Sequence, residues 1–416
     1  MPRHLGAGML VLLAACSGGG ATPTPTPTPT PSPRAEPEPA PVTELEAEPE
    51  PEPEAPRDPL PGPAAALALG GTFGCATSDA GEVTCWGDGS YGQRGVEPER
   101  HGDPTPRVSG NASVLAVGTW HACLLGPDGL RCLGHGGRGQ LGDGSKEDRH
   151  ALVAVVRDGA PWTTAVGVCA GATHTCARDA DRSVWCWGAN DRGQLGDGSF
   201  DDRVMPVRVD VEAVQLACGR AHTCARSAEG IVRCWGENVD GQLGDGTRSE
   251  PEGRRATPAT VEGHADVVFA GQGATCVVDA GAVRCWGRND SFQLGVAPGG
   301  GPGDALLSPT PVTERTNVVE VAIGARHTCL RDDAGQVSCV GGNRLGQLGD
   351  GTRTPRRAWT AVALEGPARV LAAGVDHTCA LVGDEVRCWG TNRDGQLGFA
   401  PRGRERWSTR PVPTRR

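Results

Sequence analysis

The sequence predicts an all-β fold, a seven-bladed β-propeller built from units of about 50 residues. Three observations carry that prediction. The pattern of His174–Gly198, two cysteines bracketing a turn and then Trp-Gly and Gly-Gln-Leu-Gly-Asp-Gly, returns in seven copies between residue 64 and the C-terminus. A glycine stands five residues before the first cysteine of every copy: Gly70, Gly118, Gly171, Gly219, Gly271, Gly324 and Gly374. No stretch has the 3.6-residue periodicity of an amphipathic helix.

Taken in order, residues 1–16 read as a signal segment. Arg3 precedes an apolar run from Leu5 that ends in Leu13-Ala14-Ala15-Cys16, too short to span a bilayer. That ending resembles the bacterial lipobox, and the resemblance implies that Cys16 is acylated and becomes the new N-terminus. About three chains on one cysteine give stable anchoring where a single chain is marginal. Ser17 rather than aspartate follows it, which favours outer-membrane sorting.

Residues 17–63 are expected to be a disordered stalk rich in Pro, Thr and Glu, with too few apolar side chains to offset chain entropy. Proline at every second position favours polyproline II, and at about 3.1 Å per residue the stalk reaches roughly 150 Å. Nine carboxylates stand there against Arg34 and Arg57, a net charge of −7 out of −10 for the whole chain. The acidity therefore belongs to the stalk. The repeats show no basic patch of the kind a nucleic-acid interface needs, so no nucleic-acid partner is expected.

Within residues 64–416 each unit supplies strand signals. Val114–Gly118, Val214–Gly219 and Val319–Gly324 are short, β-branched and end in glycine. The two cysteine segments with an Asp/Gly turn between them read as a hairpin. A further segment carries proline, as in residues 103–108, 205–209 and 308–312, and proline in a strand implies a sheet edge. Three strands plus one edge strand make a four-stranded blade, and glycines crowding an axis point to radial closure. The last segment, Trp407–Arg416, has the proline-bearing strand and no hairpin after it. We therefore expect this C-terminal strand to close the ring by completing the first blade.

The motifs H-T-C-A, V-x-C-W-G and N-x-x-G-Q-L-G-D-G resemble those of the regulator of chromosome condensation family, in its bacterial secreted form, and they cover residues 64–416. The resemblance implies the seven-bladed propeller. It does not deliver a function, since propellers host many activities.

Each hairpin also holds two cysteines facing each other on adjacent strands, at a spacing that suits a disulfide. The expected bridges are Cys75–Cys85, Cys123–Cys132, Cys176–Cys186, Cys224–Cys234, Cys276–Cys285, Cys329–Cys339 and Cys379–Cys388. Export makes the compartment oxidising. Zinc binding by H-x-C plus the second cysteine is the competing reading. Phe73 and Ala274 replace the histidine in two copies while both cysteines persist, so bridges are expected and neither metal nor cofactor is. Cys169 and Cys218 are left over, either paired with each other or free. His121, His174, His222, His327 and His377 recur at one position, which points to a structural hydrogen bond between strands. The Gly-Asp-Gly triplets lack the lysine and helix of a phosphate loop and read as turns, and residues 197–202 lack calcium-loop spacing.

Function must lie in what varies. The insertions Val96–Asp103, Ser145–His150, Arg248–Ala256 and Val296–Leu307 leave each blade at one corner, so they should share one face. Trp120, Trp162 and Trp359 fall outside the repeated Trp position and are the candidate binding residues. The resemblance also suggests guanine-nucleotide exchange on a small GTPase, which an exported chain would not meet, and an enzyme built on the ring is a further alternative with no catalytic set to support it. The plant ultraviolet receptor of the same fold has tryptophan two residues before the repeated histidine. Here those positions are Thr119, Ala172, Arg220, Ala325 and Val375, which does not support light sensing. A secreted inhibitor of β-lactamases in this fold is the best guide to how such a ring face binds. The expectation is a monomeric, non-enzymatic lipoprotein of the cell envelope, held to the membrane through Cys16, whose exported propeller binds an envelope or extracellular protein or a glycan.

Overall fold

The structure, a computed structural model, describes residues 64–96, 107–249, 252–296, 305–399, 401 and 406–414. The signal segment with Cys16, the stalk, and parts of three insertions lie outside the described residues. The described chain is all strand, turn and loop, with seven four-stranded antiparallel sheets and one two-stranded ribbon.

Blade three shows the construction. The inner strand Ala165–Ala170 pairs with His174–Asp179, that with Ser183–Gly188, and that with the long outer strand Arg203–Glu212. Each strand pairs with the one before it in sequence, and all seven blades repeat this order. Trp187 in the third strand is followed by Gly188 at φ 104°, where glycine's freedom lets the chain leave the sheet sharply. The outer strands carry the prolines, including Pro206, Pro309 and Pro411, because an edge strand can forgo an N–H donor.

The closure differs from the sequence expectation. Trp407–Pro413 pairs with Glu385–Thr391 and completes the seventh blade, while the first blade has its own outer strand, Arg107–Asn111, beside Glu82–Gly87. The outer strand follows its hairpin through the Gln-Leu-Gly loop and folds back on the strand it has just left. Every copy thus begins at its inner strand and ends at its edge strand, and among the described residues no blade strand is left to exchange.

The ring closes by packing instead. Apolar side chains gather in seven clusters, one at each blade–blade junction, and each contains blade disulfides. Leu67, Ala76 and Trp86 of the first blade share one of these with Leu381, Cys388 and Leu397 of the seventh. Burying an aromatic ring and several aliphatic side chains at each junction offsets much of the entropy of ordering the blade. The inner strands surround an axial cavity of about 350 Å³ lined by Leu69, Leu115, Val168, Leu216, Phe269 and Ile323 among others.

Candidate binding face

All inner strands run toward their glycine, turn through two residues and return. The two-residue tips, such as Thr119-Trp120 and Arg220-Ala221, therefore surround one mouth of the axial cavity, with Gly118, Gly171 and Gly219 in its wall. The loops after each Trp-Gly leave at the same end, and the fully described insertion Ser145–His150 lies in one of them. The hairpin turns lie at the opposite end.

This face rests on a rigid frame. Asn190 Oδ1 accepts from Leu195 N–H at 3.0 Å, and Asn238, Asn289, Asn343 and Asn392 repeat the bond in their own loops. Gly196 sits at φ 73° under the Trp235 indole, and a Cβ there would come 2.6 Å from Trp235 Nε1. Asp143, Asp197, Asp245 and Asp350 accept from the Ser or Thr two residues on and from an outer-strand arginine. These are Asx-type turns held by a charged partner, as the turn reading required. Asp202 accepts from Arg138 at 2.5 Å.

Beneath the face lies an inter-blade zipper that the sequence showed only in part. Thr175 Oγ1 donates to Gln140 O at 2.8 Å and so can only accept from His121 Nε2 at 2.9 Å. Threonines 223, 275 and 378 repeat this with glutamines 194, 242 and 347 and with His174, His222 and His327 of the preceding blades. The hydrogen bond is therefore structural, and it joins blades rather than strands within one blade. All five histidines are fully buried. Burial lowers their pKa from 6.5 to about 3 for His121, His174 and His377 and to about 4 for His222 and His327. Neutral, enclosed imidazoles cannot serve a substrate as general acid or base. The glycine before each makes room for the ring: a Cβ on Gly171 would lie 2.1 Å from His174 Cε1.

The zipper is absent between the first and second blades, where Phe73 and Ala122 replace the histidine and the threonine, and it has two further gaps. Gly74 stands where threonine would face His377, whose Nε2 has no partner, and Ala274 stands where histidine would face Thr328, whose Oγ1 has none. Ile323 fills the second gap, 2.4 Å from where a Cβ on Gly271 would be.

Where the loop of one blade meets the next, the same pair of positions carries different chemistry. Arg192 lies 3.8 Å from Glu237 and Asp240 lies 3.0 Å from Arg288. Burial and the nearby Glu237 carboxylate raise the pKa of Asp240 against the pull of Arg288. Between the first and second blades the pair is Tyr91 and His135, with ring centroids 4.7 Å apart. Trp120 joins them at 6.1 and 6.0 Å. All three rings are half-buried, and His135 Nδ1 is 2.7 Å from Gln140 Nε2.

The three candidate tryptophans therefore separate. Trp120 lies on the face. Trp162 is 2% exposed and donates to Asp179 at 2.8 Å, with Arg157 stacked 4.5 Å over its ring. Trp359 is half-buried and rises from the sixth outer strand, where its indole covers Gly295. In four other junctions Trp187, Trp235, Trp286 and Trp389 cover the matching glycines. Val340 has replaced the repeated tryptophan of that blade, and Trp359 fills the space, donating to Val312 O at 2.9 Å. Both are packing residues, and the expectation that they anchor a partner is corrected. Each ring adds apolar area to a junction, and the replaced tryptophan at Val340 was the signal for Trp359.

The cysteines of the described residues all pair. Cys75 is bonded to Cys85, Cys123 to Cys132, Cys176 to Cys186 and Cys224 to Cys234. Cys276 is bonded to Cys285, Cys329 to Cys339 and Cys379 to Cys388. These seven are the bridges expected within each hairpin. The pair left open by the sequence, Cys169 and Cys218, is joined as well. His174, Cys176 and Cys218 come within 4.8 Å of one another, but both sulfurs are engaged in disulfides. A trio on the opposite side, exposed His264 and Asp266 with half-buried Asp279, has His264 hydrogen-bonded to Asp279 at 2.7 Å.

An RCC1-like domain matches residues 28–313, and the regulator of chromosome condensation (RCC1) repeat matches residues 318–347 and 370–396. The chain is 30% identical over 352 residues to the E3 ubiquitin-protein ligase HERC2 of Homo sapiens, covering 81% of this chain and 6% of that protein. It is 31% identical over 294 residues to the Ultraviolet-B receptor UVR8 of Arabidopsis thaliana, covering 68% of this chain and 54% of the receptor. Among solved structures, Prp20p from Saccharomyces cerevisiae is similar with a TM-score of 0.71 at 20% identity, covering 86% of this chain and 88% of the other. The chain thus spans a small part of the ligase and about half of the receptor.

Proposed function

The chain belongs to the RCC1 repeat family, and on that footing we propose that its propeller is a non-enzymatic binding module whose tip-and-loop face takes a protein or glycan of the cell envelope. One observation carries the choice of face and place. The junction of the first and second blades puts Tyr91, Trp120 and His135 together where two later junctions use an ion pair. An ion pair braces a loop without exposing apolar surface. Half-exposed rings on a rigid frame offer large contact area at little entropy cost, which is what an interface anchor needs.

In the same proposal residues 1–16 are a lipoprotein signal, Cys16 carries the lipid, and residues 17–63 hold the propeller away from an outer-membrane surface. The supports are the apolar run ending in Leu-Ala-Ala-Cys and the proline-rich, acidic composition after it. The test is cross-linking and affinity recovery of the full chain from cells, beside the Tyr91→Ala/Trp120→Ala double variant and a panel of immobilised glycans. A protein or glycan recovered with the wild type and lost with the double variant supports the reading. Equal recovery by both chains contradicts it.

A further inference from the structure

Seven disulfides each join the second and third strands of one blade, and their sulfurs are sealed in the junction clusters, with every cysteine 0–1% exposed. The eighth is different in kind. Cys169–Cys218 joins the inner strands of the third and fourth blades, 49 residues apart, and both residues line the axial cavity. Cys169 is 8% exposed and Cys218 is half-buried.

Register places more sulfur beside it. Cys169 is directly opposite Cys176, and Cys176 is directly opposite Cys186, where cross-strand Cβ atoms are about 4.5–5.5 Å apart. The sulfurs of Cys218 and Cys176 also fall in one group within 4.8 Å. In the other six blades the residue opposite the first cysteine is Ala68, Ala116, Ala217, Phe269, Ala322 or Ala372. Four cysteines in exchange range therefore occur at one junction among the described residues.

We infer that Cys169, Cys218, Cys176 and Cys186 form a thiol–disulfide exchange relay, opened from the axial cavity by a small dithiol and leading into the otherwise sealed disulfide of the third blade. A thiolate of the dithiol attacks Cys218 Sγ, a mixed disulfide forms, and the Cys169–Cys218 bond breaks with Cys169 leaving as thiolate. The second thiolate of the reagent closes its own cyclic disulfide and releases Cys218. The reagent is oxidised by two electrons and one protein disulfide is reduced. The Cys218 thiolate then attacks Cys176 Sγ, forming Cys176–Cys218 and expelling Cys186, which takes a proton from water. This second step is redox-neutral. It moves the remaining bond to the cavity wall, where a second dithiol reduces it. The junction of blades three and four becomes the part of the ring that answers to reducing thiols.

The test is stepwise reduction of the full native chain with dithiothreitol, acid quenching, alkylation and mass mapping of each cysteine. Cys169–Cys218 should open first and Cys176–Cys186 next, both about tenfold or more ahead of the other six, since access governs exchange. Partly reduced wild type should contain a Cys176–Cys218 cross-link. In Cys169→Ser/Cys218→Ser, Cys176–Cys186 should become as slow as the other six, and the wild-type cross-link provides the reading if that variant does not fold. The relay is overturned if Cys176–Cys186 opens equally fast without Cys218, if no Cys176–Cys218 species forms, or if all eight bonds open together.

Discussion

The indole of Trp86 donates to the carbonyl of Gln396 at 3.0 Å, joining the first blade to the seventh across 310 residues of sequence. At the other tryptophan junctions, Thr175, Thr223, Thr275 and Thr378 share the matching carbonyl with Trp187, Trp235, Trp286 and Trp389. At the seam Gly74 occupies the threonine position, so Trp86 acts there without that second donor.

Trp86→Phe keeps an aromatic ring in the seam cluster but removes the donor to a buried carbonyl, at a cost of about 1–3 kcal/mol. Trp389→Phe leaves Thr378 bonded to Gln347 O and should cost less. Calorimetric melting of both variants checks this, and equal losses would show that the indole N–H is not what secures the seam.

The histidine zipper predicts a pH dependence with a definite sign. Above pH 6.5 these imidazoles are neutral folded and unfolded, and they impose no penalty. As pH falls below 6.5 the unfolded chain gains protons that the native state refuses until about pH 3–4. Stability should therefore decline through that window, by at most about 1.4 kcal/mol per pH unit for each histidine. Melting of the wild type against His121→Gln/His174→Gln between pH 7 and 4 should show a shallower decline in the variant. Parallel curves would place the acid sensitivity elsewhere.

Trp120 and Trp359 should respond in opposite ways. Trp359→Ala empties a junction and should cost about 3–5 kcal/mol, read as a lowered denaturant midpoint. Trp120→Ala should change the midpoint far less and should lower partner recovery instead. A large stability loss for Trp120→Ala would make the aromatic trio a brace.

Much of the fold was legible because repetition amplifies a weak signal. One hairpin signature says little, whereas seven with a glycine at fixed spacing define blade number and strand order. The hairpin bridges, from Cys75–Cys85 to Cys379–Cys388, were legible for the same reason, since both partners lie within one copy. Phase was not legible. The proline strand at the C-terminus looked spare because the copies were divided at the wrong strand, although residues 103–108 already held part of the first blade's own edge strand. The inter-blade target of the histidines was also hidden, since Thr175 and His121 belong to different copies and only the packed ring brings them to 2.9 Å. Trp120, Trp162 and Trp359 looked alike as departures from the repeat; burial sets Trp162 apart, and only the packed junction shows Trp359 covering Gly295 and bonded to Val312 O. The fate of Cys169 and Cys218 needed register, which places two non-equivalent positions of neighbouring inner strands on one cavity wall.

The anchor has its own test. Cys16→Ser should move the protein to the soluble fraction or leave it unprocessed, and deletion of residues 21–60 should leave the melting temperature of the propeller unchanged. A Cys16→Ser chain of mature size that remains with membranes would contradict lipidation at that residue.

The most direct measurement of the binding face is photo-cross-linking from each end of the ring in intact cells. A photoreactive side chain at Thr119, beside Trp120, is compared with one at Asp181 in the exposed hairpin turn of the third blade. Adducts from position 119 that disappear on Tyr91→Ala, with none from position 181, are the expected result. Adducts from position 181 alone would place the binding face at the other end of the propeller and contradict the assignment.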